Sequence, residues 1–377
     1  MDARRRTLDT LAHLVHEHFL WLLLGTYAVA ALLPGPGLVI RHVSLGQVSL
    51  LGTATKLSLP MLMLAFLLSN AGLGVQVAQL RALWRSPVAP LAGLLANLAV
   101  PVAFILGVSL AMRPWHNPDE VQVILVGLAL IASMPIAGSS TAWSQNANGD
   151  LAMSLGLVLG STLLSPLTTP LALHSVGFVT TGDYSEDLHE LAASGAGGFL
   201  ALTVIVPSLL GIAARLALGE ARTAVLRPRL RLLNSAILLL LNYSNASLSL
   251  PQAVSEPDWD FLAAILAITV GLCSLGFGAG WAIARLLRVD DARRTSLMFG
   301  LGMNNNGTGL VLASMTLADH PRVMLPIIVY NLVQHLVAGV VDRKLCKPAR
   351  GADPARPSPP VGPTATAGPI PVRSASP

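Results

Sequence analysis

A chain of 377 residues that is 53% hydrophobic and only 11% charged cannot cover a water-facing surface, because soluble domains carry about 25% charged residues. The formal net charge of +5 does not indicate nucleic-acid binding, since the basic residues lie at the ends of apolar segments, where they orient a protein in a membrane. Composition therefore predicts an all-α membrane protein surrounded by lipid, and it excludes a soluble enzyme and a nucleic-acid partner.

A transmembrane helix needs about 20 mainly apolar residues, and the chain read in order contains ten candidate segments. The fourth and the ninth each contain a break, whereas most of the others are unbroken runs of Leu, Val, Ala and Ile. The predicted spans are residues 19–33, 56–75, 87–111, 121–147, 150–174, 197–218, 230–250, 261–287, 295–317 and 323–341.

Lys and Arg concentrate in alternate loops between these spans. One set of loops and ends contains residues 4–6, Arg81, Arg229 and Arg294, whereas the opposite set contains most of the acids, including Asp187. Because cytoplasmic loops carry the excess of Lys and Arg, we expect both termini in the cytoplasm. The expected location is the plasma (inner) membrane, crossed an even number of times.

The spans divide the chain into two halves of five helices each. Residues 1–18 are predicted as a cytoplasmic N-terminal segment, 19–174 as the first half, 175–193 as an external acidic loop, 194–343 as the second half, and 344–377 as a disordered cytoplasmic tail. Because five is an odd number, the halves should insert with opposite orientation and form an inverted repeat.

Two predicted spans are interrupted by residues that do not favour a helix. The fourth contains Pro135 and Gly138 followed by a Ser-Ser-Thr cluster, and the ninth contains a Gly-rich run with three consecutive asparagines. Pro lacks a backbone donor and Gly favours non-helical conformations, so both helices should unwind partway across the bilayer. Unwound backbone is tolerated at that depth only inside protein or beside a wet cavity. Matching breaks therefore predict a transporter site near the midplane, where half-helix N-termini attract an anion and free carbonyls bind a cation.

Polar side chains at and opposite the breaks are the candidate ligands, because polar residues within spans are costly and usually functional. In the seventh span, Asn242 and Asn245 share one helical face with Ser249. They form either a substrate-facing wall or interhelical hydrogen bonds. The predicted substrate-binding residues are Ser139, Ser140, Thr141, Asn304, Asn305, Asn306, Thr308, Asn242 and Asn245.

At these segments the chain resembles the bile acid/sodium symporter family, and the resemblance extends from the first span to about Arg343. It rests on Pro135, the Ser139-Ser140-Thr141 cluster, Gly149-Asp150, the Ser-Pro-Leu-Thr-Thr-Pro stretch at 165–170, the segment 299–309, and Pro326 with His335. The resemblance implies two inverted five-helix repeats, with two broken helices crossing in a core domain made of spans three, four, five, eight, nine and ten. Spans one, two, six and seven would form a separate panel domain.

The family also implies a function and an ion site. Relatives carry organic anions such as bile acids, steroid sulfates or keto and hydroxy acids, and many couple to sodium, so no cofactor beyond Na⁺ as a coupling ion is implied. Carried over by position, the first sodium site is Ser140, Thr141 and Ser154, and the second is Met303, Asn304 and Asn97. The family's glutamate on the ninth helix falls at Gly300, and a threonine ligand falls at Val158. We therefore expect weak sodium coupling or none.

The predicted function is secondary active transport of a small organic anion by alternating access. An enzyme would need a nucleophile with a base, a metal cluster or paired carboxylates, and the sequence contains no HExxH, CxxC, GxSxG or Walker motif. Cys273 and Cys346 are interpreted as incidental, and His335 as a packed residue. A transporter-like sensor or scaffold without transport is the alternative, and the substrate, the coupling ion and the oligomeric state are left open.

Overall fold

The computed structural model describes residues 14–15, 18–50, 53–75 and 87–345. Predictions about residues 1–13, 76–86 and 346–377, which include most of the cytoplasmic tail and Cys346, lie outside the described residues. Within the described ranges, the chain forms helices joined by short loops, one β-hairpin and one isolated β-bridge.

The chain turns sharply after its first helix. Helix α1 (Phe19–Leu32) is followed by α2 (Pro34–His42), and the two axes are bent by 92°; proline at the first position of α2 favours a new helix start. Strands β1 (Ser44–Leu50) and β2 (Thr53–Ser58) then form an antiparallel hairpin. The sequence prediction missed α2 and the hairpin, and its second span began at residue 56, inside β2. The observed helix α3 covers Leu59–Gly74.

The third to fifth predicted spans are helical close to the predicted bounds. They correspond to α4 (Val88–Ala111), to α5 (Pro118–Ser133) with α6 (Ser139–Asn146), and to α7 (Leu151–Gly177). The segment 175–193 was predicted as a loop, but it contains helix α8 (Asp183–Glu190). The prediction missed α8 because it relied on apolar runs, and α8 is strongly charged.

The second half begins with an irregular helical run. A π-helix (Leu191–Gly195), α9 (Ala196–Leu200), another π-helix (Ala201–Ile205) and α10 (Val206–Ala246) follow each other without a loop. The sixth and seventh predicted spans are both in this run, and they are separated only by Gly219, whose φ of 74° breaks the helix inside α10. A left-handed φ is accessible to glycine at little cost.

The remaining helices follow the predicted order. They are α11 (Leu250–Ser255), α12 (Trp259–Leu286), α13 (Asp291–Gly302), α14 (Asn306–Thr316), a 3₁₀ turn (Pro321–Val323) and α15 (Met324–Leu345). By length and hydropathy, five helices of the described part could each cross a bilayer, or six if α1 and α2 form one bent span. The protein is therefore an all-α, multi-pass membrane protein, and the count of ten spans in an inverted repeat stays a prediction.

The helices pack in two groups. We call α1, α2, α3 and α10 the peripheral group, because α10 packs against each of the other three. Helices α4–α7 and α12–α15 pack mainly on one another and form the crossing group. The two groups meet where α14 contacts α3 and α10, where α15 contacts α1, and where α9 joins α7 to the start of α10.

Close backbone contact holds the peripheral group together. A Cβ built on Gly72 of α3 would overlap the carbonyl of Ser208, and one built on Gly211 of α10 would overlap the carbonyl of Ser69. Small residues let membrane helices approach in this way, and the resulting van der Waals contact is a main source of their association in lipid.

Candidate functional site

The two predicted breaks pair with each other in an isolated antiparallel β-bridge between Ile136 and Asn304. The backbone N–H of Ala137 donates to the carbonyl of Met303 at 2.9 Å, and the N–H of Asn305 donates to the carbonyl of Pro135 at 2.9 Å. Each unwound segment therefore supplies the hydrogen bonds that the other has lost. This arrangement meets the requirement that non-helical backbone at membrane depth be satisfied inside protein.

The C-terminal helix ends at this crossing are occupied by protein donors. The carboxamide of Asn304 donates to the carbonyl of Ile131 at 2.9 Å, and the hydroxyl of Thr169 donates to the carbonyl of Ser133. At the end of α13, the carbonyl of Gly302 accepts from the Tyr330 hydroxyl at 3.4 Å and lies 3.5 Å from the Cys273 sulfur. These three carbonyls at the negative poles of α5 and α13 therefore already accept protein donors and are less available to a cation. Cys273, interpreted from the sequence as incidental, thus lies at the break itself.

The N-terminal helix ends at the crossing differ in their capping. Helix α6 begins at Ser139 without a side-chain cap, and Gly138 and Ser139 are exposed. Helix α14 is capped by Asn305, whose side chain accepts from the Thr308 N–H at 3.4 Å. Backbone carbonyls in the same turns accept the N–H groups of Ser140, Thr141, Asn306 and Thr308. The positive pole at such a helix end attracts anions.

Several predicted ligands at the crossing are buried without a hydrogen-bond partner among the described residues. Leaving a buried polar atom unpaired costs about 1–3 kcal/mol, so these atoms indicate places for water or a ligand. They are Ser140 Oγ, Asn304 Oδ1, both side-chain polar atoms of Asn306, and Thr308 Oγ1.

The two sodium ligand sets implied by the resemblance are placed differently. In the first set, the Ser154 hydroxyl donates to the Thr141 hydroxyl at 3.1 Å, and Ser140 is next to it in sequence. In the second set, Asn304 is turned towards Ile131, whereas Asn97 lines a cavity of about 20 Å³ between α4, α5 and α7. The structure brings Ser154 and Thr141 together but records no contact between Asn97 and Asn304.

The position of the family's glutamate is filled by apolar side chains. A Cβ built on Gly300 would lie 2.9 Å from Leu157 Cδ1 and 3.9 Å from Ile136 Cδ1. Leu157 and Ile136 belong to a buried apolar cluster that leaves little room for a carboxylate. Asp150 does not replace this carboxylate, because its side chain caps α7 and lies 3.6 Å from the Arg293 guanidinium.

A buried polar network near the crossing was missed by the sequence analysis. The side chain of Gln334 accepts from the Asn304 N–H at 3.0 Å and donates to Asn331 at 3.2 Å. Asn331 donates to the Tyr27 hydroxyl at 2.8 Å and to Asn242 at 3.2 Å. The signal was present in the sequence, because two amides three residues apart in the tenth span share one helical face.

The two asparagines of the seventh span have different environments. Asn242 takes part in interhelical hydrogen bonds, which was one of the two sequence interpretations. Asn245 is fully buried, and neither side-chain polar atom has a partner in the part of the chain that the structure describes. Ser249 does not share their face, because α10 ends at Ala246.

Two other titratable side chains bear on ion coupling. The ring of His335 packs edge-on against Phe19 with centroids 5.9 Å apart, in agreement with its interpretation as a packed residue. Glu120, which the sequence did not single out, is only 2% exposed and accepts from Trp115 and Asn117. Glu120 lies in the first turn of α5, about 20 Å along the helix from the break.

Two curated proteins and one family model match the sequence of this chain. The chain is 25% identical to the uncharacterized protein YbaS of Bacillus subtilis (strain 168) over 242 residues, which cover 63% of this chain and 75% of that protein. It is 22% identical to the uncharacterized sodium-dependent transporter YocS of the same organism over 295 residues, which cover 77% of this chain and 84% of that protein. The model of the SBF-like CPA transporter family matches residues 17–347. With this match over nearly all of its length, the chain belongs to the SBF-like CPA transporter family.

Proposed function

We propose that this protein is a secondary active transporter that moves a small organic anion across the membrane by alternating access, with weak sodium coupling or none. The proposal rests chiefly on one observation, the pairing of two interrupted helices through Ile136 and Asn304 in the membrane-embedded part of the fold. Discontinuous helices that meet in this way form the substrate sites of many secondary transporters. The same crossing in a chain without a catalytic motif argues against an enzyme.

The chemistry of the crossing suits an anion of low charge density. Segments 134–141 and 303–309 contain no Lys or Arg, so recognition would depend on the N-termini of α6 and α14 together with hydroxyl and amide groups. The proposed ligands are Ser139, Ser140, Thr141, Asn304, Asn305, Asn306 and Thr308, with Asn245 of α10, whose buried side chain has no partner among the described residues. A bile-acid-like, steroid-like or keto or hydroxy acid meets these requirements, since its apolar body would pack against Leu241 and its neighbours.

The two helix groups supply the moving parts of this proposal. The crossing group corresponds to the core domain of the bile acid/sodium symporter fold, and the peripheral group corresponds to its panel. Rocking of one group against the other would expose the crossing alternately to the two sides of the membrane. Their limited contacts, through α14, α15 and α9, are compatible with such movement.

Sodium coupling is expected to be weak for two physical reasons. The free-energy cost of desolvating a cation is offset less by a neutral site than by a site with a carboxylate. Here Gly300 and Leu157 occupy the place of that carboxylate. In addition, the carbonyls of Ile131, Ser133 and Gly302 are already bonded to protein donors. The name of YocS describes a sodium-dependent transporter, whereas these features of the present chain support weak coupling or none.

A thermal-shift screen of organic acids on purified protein, with and without sodium, would identify ligands. Ligands that raise the melting temperature would then be tested for uptake into proteoliposomes. Saturable uptake that is abolished by Asn305→Ala supports the proposal. Ligand binding without uptake in either direction would contradict transport and favour the alternative, a membrane sensor or scaffold.

A further inference from the structure

A continuous chain of buried hydrogen bonds links the ninth-helix break to the peripheral group. It runs from the Asn304 N–H to Gln334 at 3.0 Å and from Gln334 to Asn331 at 3.2 Å, both within the crossing group. Asn331 then donates to Tyr27 of α1 and to Asn242 of α10. Tyr27 in turn donates to Asn242 at 3.1 Å, so the link contacts two helices of the peripheral group.

We propose that Gln334 and Asn331 are positioning residues that couple the geometry of the break to closure of the two helix groups on the α14 side. This inference rests on the proposed transport function. The contact of Asn331 with Tyr27 and Asn242 would link the geometry of the binding site to the open or closed state of the α14 side. In this structure the link is intact and the α14 side is closed.

The two half-helices after the breaks differ in a way that identifies the closed side. Helix α14 packs against α3 and α10 of the peripheral group, and Ser314 in its last turn is 3% exposed. Arg41 of α2 donates to the carbonyl of Ser314, which adds a contact between the groups on that side. Helix α6 instead packs against α7, α13 and α15 within its own group, and Ser139 at its start is exposed. From the exposure at the start of α6 and the burial at the end of α14, we infer that the α6 side is the more open of the two.

Opening the α14 side would separate Asn331 from Tyr27 and Asn242, because these residues belong to different groups. The effect would pass to the break, since the Gln334 oxygen accepts the Asn304 N–H while its nitrogen donates to Asn331. If Asn331 rotates, the Gln334 nitrogen loses its acceptor, and the Gln334 side chain can then rotate as well. That rotation would leave the N–H of Asn304 without its acceptor. The fit of the break around a ligand and the closure of the α14 side are thus linked through one side chain.

The consequence can be measured with two reporter cysteines that need no substrate. Ser139→Cys reports on the α6 side and Ser314→Cys on the α14 side, each in a Cys346→Ser background that retains the buried Cys273. The probe is a water-soluble maleimide applied to purified protein. Asn331→Ala and Tyr27→Phe should each speed labelling at position 314 and slow it at position 139. Loss of one such hydrogen bond should change the ratio of the two rates about fivefold.

Opposite changes at the two reporters distinguish a shift between states from general loosening, which would speed both. Asn234→Ala is the matched control, because its hydrogen bond to Asn70 lies within the peripheral group and outside this network. The double variant should shift the ratio by less than the product of the single shifts, since both residues belong to one network. An unchanged ratio in both single variants, or an equal shift in the control, would overturn the proposal. If the ratio shifts but no anion is transported, the coupling stands and the proposed function fails.

Discussion

The backbone N–H of Asn305 donates to the carbonyl of Pro135 across 2.9 Å. A residue of the ninth predicted span therefore supplies a backbone hydrogen bond that the break in the fourth span has lost. Pro135 is where α5 has ended, and Asn305 is where α14 begins, so the bond joins two helix ends that no local contact could satisfy. Neither unwound segment could lie alone in hydrocarbon, where unsatisfied peptide groups cost several kcal/mol each. The two breaks therefore depend on each other.

The first prediction concerns Asn304. Its carboxamide donates to the carbonyl of Ile131, and its backbone N–H donates to the side-chain oxygen of Gln334. Asn304→Ala should abolish uptake in proteoliposomes. It should also lower the free energy of unfolding by about 0.5–1.5 kcal/mol, because the Ile131 carbonyl loses one of its two donors and keeps only the Met134 N–H. Asn234→Ala is the control, since its bond to Asn70 at 3.0 Å lies within the peripheral group. Near-normal uptake by Asn304→Ala and Asn305→Ala would count against the crossing as the site.

The second prediction restores a carboxylate at the position where the family has one. Gly300→Glu alone should lower the melting temperature, because the new side chain meets Leu157 at 2.9 Å inside an apolar cluster. Adding Leu157→Ala should recover part of the loss and create stabilisation by sodium that the parent lacks. Potassium at the same ionic strength is the control, measured by the same thermal unfolding. An equal sodium response in the parent would show that sodium binds without the glutamate.

Long apolar runs made most of the helices predictable, and the Pro/Gly and Asn clusters made the breaks at 134–138 and 303–305 predictable as well. Helix α8 was missed because its charged residues have no apolar run. The hairpin at 44–58 was missed because residues from 56 onwards were predicted as a span, although the alternation in Gln-Val-Ser-Leu at 47–50 is a strand signal. The partners of Asn331 and Gln334 lie on other helices, up to 304 positions away for Tyr27. Such contacts depend on tertiary packing, which one sequence does not specify.

The third prediction tests the packing of α3 on α10. Gly72→Ala and Gly211→Ala should each destabilise the protein by about 1–3 kcal/mol, because the added methyl overlaps a backbone carbonyl that cannot move without separating the helices. Gly74→Ala is a matched control two positions along α3, where a Cβ would have no neighbour within 4 Å. The melting temperature of each variant in detergent measures these changes in stability. Equal melting temperatures for Gly72→Ala and Gly74→Ala would refute the close contact.

The last prediction concerns pH and the acidic helix α8. Desolvation raises the pKa of the Asp187 carboxyl above its usual 3.8, with Asp183, Glu190 and Asp319 acting in the same direction, while nearby His320 opposes the shift. The folded state therefore binds a proton more tightly than the unfolded state, so stability from this group falls as pH rises above 3.8. His320 lies 3.7 Å from Asp187 and is the nearby group that opposes this shift.

Asp187→Asn removes both effects while keeping the shape of the side chain. The difference in melting temperature between the parent and this variant should therefore decrease as the pH rises above about 4, the usual pKa range of a carboxyl. Asp291→Asn is the control, because Asp291 pairs with Arg294 at 2.9 Å on a different surface and makes no contact with α8. A parent that gains stability relative to Asp187→Asn as the pH rises would mean that His320 controls this carboxylate more strongly than its burial does.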